Sequence, residues 1–157
     1  MVAPEVDKPH LRLGAATTRE HIIRRARSWL EPAVPYDQSG FHENEYGIYR
    51  TDCSGYISMA WGIPGKPPNR HGGLDTRGLA ASGFAIGKPE LLPGDVLLRA
   101  EGTNLTRHVT LFEEWVNDDH YWGCEQAGGI GTVRRIIRYP YEKESALYLP
   151  FRYLHII

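Results

Sequence analysis

An α+β fold, with N-terminal helices packed on a mainly antiparallel sheet, is what the amino-acid sequence predicts. Three observations carry that expectation. Helical periodicity and helix stop signals are confined to the first half of the chain, whereas apolar and β-branched runs separated by turn residues fill the second half. The 157 residues, 41% hydrophobic and 24% charged, suit one soluble core of ordinary size and exclude a disordered chain, a collagen-like chain or a coiled coil.

Residues 1–16 are rich in Pro and charge without periodicity and read as an N-terminal arm. Thr17 with Glu20 three positions on makes a capping-box pattern, and Ile22, Ala26, Trp29 and Leu30 fall on one helical face. A helix to about Leu30 is expected, stopped by Pro32 and Pro35. A turn-rich stretch through Ser39-Gly40 and Tyr46-Gly47 leads to Thr51-Asp52-Cys53. Residues 53–61 read as a short buried helix that packs through Tyr56, Ile57, Ala60 and Trp61 and closes at Gly62 and Pro64. Residues 64–73 read as a surface loop, and 75–81 as a weak helix. Strands are expected at 96–99, 109–116, 121–125, 132–139 and 146–154.

Lys+Arg 18 against Asp+Glu 19 leaves a formal charge of -1, so no global field draws the chain to nucleic acid or anionic lipid. Arg19, Arg24, Arg25 and Arg27 on the first helix, and Arg134, Arg135 and Arg138 later, read as solvated faces, because no aromatic platform accompanies them. Trp61, Trp115 and Trp122 are assigned to the core. No apolar run approaches the roughly 18 residues of a membrane helix, and the first residues lack a signal-peptide pattern. Cys53 and Cys124 cannot make a disulfide framework and lack a CxxC pairing. His71, His108 and His120 lack a metal-ligand spacing, so no metal and no other cofactor is expected.

Chemistry is expected at Cys53. It follows Asp52 and precedes Ser54-Gly55 at a helix start, where unsatisfied N–H groups and the helix dipole favour a thiolate and can hold an oxyanion. Asp52 is read as the cap of that helix. A lone cysteine is more often structural, but His108 stands at the start of the strand-like run His-Val-Thr-Leu-Phe, after the turn Pro93-Gly94-Asp95. An imidazole there is rigidly aimed and titrates where a base and acid are needed. Its second nitrogen needs an acceptor, for which Glu125 on the next strand is chosen. Strand alternation sets Glu125 and Gln126 on opposite faces, so only one of them can enter the site. Gln126 and His120 remain rivals, His120 standing second because Asn117-Asp118-Asp119-His120 reads as a hairpin turn.

Taken in order, Tyr36-Asp37-Gln38-Ser39-Gly40, Asp52-Cys53-Ser54-Gly55-Tyr56, Pro93-Gly94-Asp95, His108-Val109 and Glu125 resemble the NlpC-type cell-wall cysteine peptidases, whose fold is a compact papain-like domain. The resemblance spans most of the chain and implies that residues 17–157 form a cysteine hydrolase domain. It implies Cys53 as nucleophile, His108 as base and then acid, and Glu125 as the residue that orients it. Tyr36 and Ser54 become substrate-binding residues, and the Cys53 N–H an oxyanion donor. Two features depart from the family. Its third residue is most often His, Asn or Gln, and the segment between Tyr36 and Cys53 is longer than usual.

The function implied is a peptidoglycan endopeptidase that cleaves stem peptides through a thioester, in the cell wall or periplasm, secreted or delivered by a secretion system. Its partner is the stem peptide, with an immunity or inhibitor protein as a further partner class and no nucleic acid or membrane span. The alternatives are a papain-like acyltransferase or transglutaminase-type modifier, and a non-catalytic binding domain on the same fold.

Overall fold

The computed structural model describes residues 15–64 and 71–157. The expected arm of residues 1–16, apart from its last two positions, and the middle of the loop at 64–73 lie outside the described residues. No described helix is long and apolar enough to cross a membrane.

Helix α1 (Arg19–Arg27) begins one residue later than its sequence pattern suggested, because Thr18 is the cap and its side chain accepts from the His21 N–H. Thr17 is occupied elsewhere. Its backbone pairs with His155 and Ile157 near the end of the chain, and its hydroxyl accepts from Arg25. The helix also stops before Leu30, where the Ser28 hydroxyl takes the Arg25 carbonyl at 2.6 Å and the last turn tightens.

Helix α2 (Cys53–Trp61) has the expected bounds, and every residue in it is buried. Small and apolar residues on all sides let it pack against α1 and strands of both sheets at once. Asp52 caps it by accepting from the Gly55 N–H at 2.8 Å, and Gly62 closes it in the left-handed region at φ 78°. Helix α3 (Thr76–Ala81) is capped in the same way by Asp75.

Between α1 and α2 the chain forms an antiparallel hairpin of β1 (Asp37–Asn44) and β2 (Gly47–Thr51), where a turn-rich stretch had been expected. The β1 sequence Asp-Gln-Ser-Gly-Phe-His-Glu-Asn buries no side chain fully, so the apolar alternation that reveals a strand is missing.

The main sheet contains β3 (Gly83–Ala85), β4 (Val96–Arg99), β5 (His108–Trp115), β6 (His120–Ala127), β7 (Gly131–Arg138) and β8 (Leu149–Tyr153). Their spatial order is β3-β8-β4-β5-β6-β7, and every neighbouring pair is antiparallel. The domain is therefore α+β with a mainly antiparallel sheet. Five of these strands match expected ones to within a few residues. The three-residue β3 carries too little pattern to be read.

Alternation along the strands separates two packing layers. Val96, Leu98, Val109, Leu111 and Cys124 join Ile22, Trp29, Tyr56, Ile57 and Trp61 in the larger core. Leu97, Phe112, Tyr121, Ile137 and Tyr148 form a smaller cluster. Trp61 is in the core, whereas Trp115 is only partly buried and Trp122 lies beneath Arg134. The basic faces are also less solvated than their sequence suggested. Arg19 binds buried Asp95, Arg25 binds the Ala60 carbonyl, and Arg27 and Arg134 both bind buried Glu113. A buried carboxylate needs such partners to stay ionised.

The start of α2 is held by close approach as well as by its cap. A Cβ on Gly55 would overlap the Arg50 carbonyl oxygen, which belongs to strand backbone and cannot swing aside. Gly55→Ala is therefore expected to lower stability by about 2–3 kcal/mol, read as a lower urea midpoint with an unchanged m-value.

Candidate active site

Cys53 opens α2 and His108 opens β5. The Leu111↔Cys124 register between β5 and β6, continued by one pair, sets Glu125 opposite Thr110. His108, two residues away, then lies on the same face as Glu125. The side chains meet accordingly: His108 Nε2 and Glu125 Oε1 are 2.7 Å apart. The other ring nitrogen, Nδ1, is not used by Glu125, and Cys53 is close enough to the imidazole to raise its pKa. Cys53 is 7% exposed, the His108 side chain 15% and the Glu125 side chain 0%. Both cysteines are free thiols.

Burial by itself lowers the pKa of His108, but the hydrogen bonds and charges of Cys53 and Glu125 outweigh it and raise the pKa to about 9. Glu125 shows the converse balance. Burial pushes its pKa up, while His108, Tyr141 and Arg135 hold it below the ordinary carboxylate value. At neutral pH the pair is therefore an imidazolium beside a carboxylate.

Glu125 is saturated with donors. The Tyr141 hydroxyl donates to Oε1 at 2.6 Å, and Arg135 Nε donates to Oε2 at 2.7 Å. Tyr141 also packs on His108, ring centroids 5.1 Å apart, and stacks on Tyr148 at 4.8 Å. The rivals for the third position lie elsewhere. Gln126 faces the other way and donates to the Val34 carbonyl and Thr132. His120 sits at the opposite end of the β5–β6 hairpin from His108 and meets Asn117 at 3.1 Å.

Asp52, besides capping α2, accepts from Arg50 Nε at 2.7 Å. Ser54 is buried and accepts from Arg50 at 3.0 Å, so its hydroxyl is engaged in holding the helix start. The Tyr36 hydroxyl accepts from Gln38 Nε2 at 3.1 Å. Burial, the leading influence, raises the Tyr36 pKa, so the phenol keeps its proton and can donate to a ligand.

Two depressions adjoin Cys53 and His108. A cleft of about 830 Å³ reaches His108, Tyr36, Arg135, Tyr141 and Tyr148. A smaller one of about 220 Å³ reaches Cys53, Ser54, Arg50 and Thr76. Gln38, Asn104 and Arg107 line both, and Gln38 Nε2 donates to the Asn104 carbonyl at 2.7 Å. That bond joins two residues that line both depressions.

Arg135 and Tyr141 were missed as site residues. Arg135 had been assigned to a solvated face, and the ion pair with Glu125 corrects that assignment. A signal for it existed. The turn Gly128-Gly129-Ile130 pairs Glu125 with Val133, and Arg135 is two residues further along the same face. Tyr141 follows β7 in an irregular segment, where no periodicity points anywhere.

No protein-family model matches the chain, and a search of curated proteins finds no match.

Folding prefers the protonated form of His108, because its pKa rises from 6.5 to about 9. The stability this contributes is fully present below pH 6.5 and is lost as pH rises through about 9. The urea-midpoint gap between the native chain and His108→Gln is therefore expected to be widest near pH 6 and to shrink toward pH 10.

Proposed function

We propose that the protein is a cysteine hydrolase with a compact papain-like fold, acting as a peptidoglycan endopeptidase on stem peptides. One observation carries the reading: a strand-borne imidazole is bonded to a buried carboxylate, a thiol at a helix N-terminus lies close enough to raise the pKa of that imidazole, and imidazole and thiol line adjoining clefts. A thiol, an imidazole and an orienting acceptor are the parts of nucleophilic acyl transfer. The substrate class and a cell-wall or periplasmic setting rest on the resemblance to NlpC-type peptidases.

In this reading the Cys53 sulfur, as thiolate, attacks the amide carbonyl and forms a C–S bond. The oxyanion is met by the Cys53 N–H, which has no intrahelical acceptor at its first-turn position. The phenol of Tyr36 lines the adjoining cleft, with His108. His108, protonated, gives its proton to the leaving nitrogen, and the C–N bond breaks. Water then attacks the thioester, His108 takes its proton, and the C–S bond breaks to release the acid and restore the thiolate–imidazolium pair. Glu125 keeps the ring in place throughout.

Purified peptidoglycan incubated with the protein is expected to yield new stem-peptide fragments by mass spectrometry, with Cys53→Ala and His108→Ala each at least about 10³-fold slower. Fragments formed equally by Cys53→Ala would end the proposal. Transfer to an added amine, seen as a mass-shifted acyl product exceeding hydrolysis, would identify an acyltransferase instead.

A further inference from the structure

We propose that Arg135 and Tyr141 are positioning residues that temper the charge of Glu125, Arg135 by forming with it an ion pair of zero net charge and Tyr141 by donating a hydrogen bond to it, so that His108 is not held by a bare carboxylate. The inference rests on the reading of Cys53 and His108 as the reacting pair and adds how their protonation is set.

Catalysis asks His108 to hold a proton beside the thiolate and then release it to the leaving nitrogen. A bare carboxylate 2.7 Å away, itself fully buried, would favour imidazolium so strongly that release is hindered. Arg135 answers this from β7, with its guanidinium on Oε2 at 2.7 Å. Tyr141 shares the oxygen that His108 uses, at 2.6 Å, and so divides its lone-pair charge between two donors.

The other groups around the imidazole leave this balance in place. From α2 comes Cys53. From β4 comes Arg99, the register partner of His108, whose guanidinium pairs with Glu144 at 3.0 Å. Arg107, the preceding residue, lies 3.8 Å from Asp75. Tyr141 and Tyr148, from the segment before β8, are held neutral by burial, and Tyr36 keeps its proton as well. Glu125 and Arg135 are thus the buried anion and the cation that set the field at His108.

A merely structural staple between β6 and β7 would predict lost stability and no change in titration. The test is an NMR titration of 15N-histidine-labelled full chain, with the pH dependence of iodoacetamide modification of Cys53 followed by peptide mass. Arg135→Met is expected to raise the His108 pKa by about half a unit or more and to move the alkaline limb of modification with it. Glu125→Gln/Arg135→Met should bring both below the native values. An Arg135→Met chain that folds and titrates His108 at or below the native position overturns the proposal. Should Arg135→Met fail to fold, Tyr141→Phe carries the test with a smaller upward shift, and no shift there overturns it. Cys53 modification indifferent to His108→Ala would instead sink the underlying reading of the reacting pair.

Discussion

Glu125 is the constraint around which this part of the molecule is arranged. An ionised carboxylate removed from water costs several kcal/mol unless donors replace its hydration. Here three arrive from separate elements: His108 from β5, Arg135 from β7 and Tyr141 from the segment leading to β8. Each fixes a different relation. The first needs the β5–β6 register, the second the β6–β7 register, and the third ties an irregular segment down onto His108. A one-residue slip of either hairpin would turn Glu125 to the other face and strand the charge. The carboxylate therefore specifies strand pairing as well as ring orientation.

The cysteine side is held by an independent network. Arg50, on β2, reaches Asp52, Ser54 and the Leu74 carbonyl. Asp52 caps α2, and the absence of a side chain at Gly55 lets the helix start press on the Arg50 backbone. Thus Cys53 is placed by a hairpin and a helix, and His108 by the sheet. The two halves meet where Gln38, Asn104 and Arg107 line both depressions.

Much of this was legible because local signals carried it. Asp-Cys-Ser-Gly ahead of an apolar run marked a capped helix with the thiol at its start, and His108 before a β-branched run marked a rigidly held imidazole. Strand alternation excluded either Glu125 or Gln126 from the site but could not say which. That choice is made by the face that packs on Tyr56 and the helices, where Cys124 lies. The β1–β2 hairpin was illegible because its first strand buries nothing fully. Arg135 was misassigned because charge alone reads as solvation. Its role depends on a buried partner ten residues away, which becomes visible only once the hairpin is paired.

The two cysteines lie near the β5–β6 hairpin in contrasting surroundings. Two buried carboxylates sit on it, Glu113 and Glu125, and each is bonded to arginine. Cys124 donates its thiol to Glu113 at 3.0 Å. Burial and that anion push its pKa far above the usual thiol value, so the fully buried sulfur stays protonated. At Glu125 an imidazole stands between carboxylate and sulfur. There the anion favours a cation on the ring, whereas at Glu113 it acts on the sulfur directly. Carboxylate, arginine and cysteine occur in both places. The interposed histidine is what differs, and of the two sulfurs it is that of Cys53 that lines a groove.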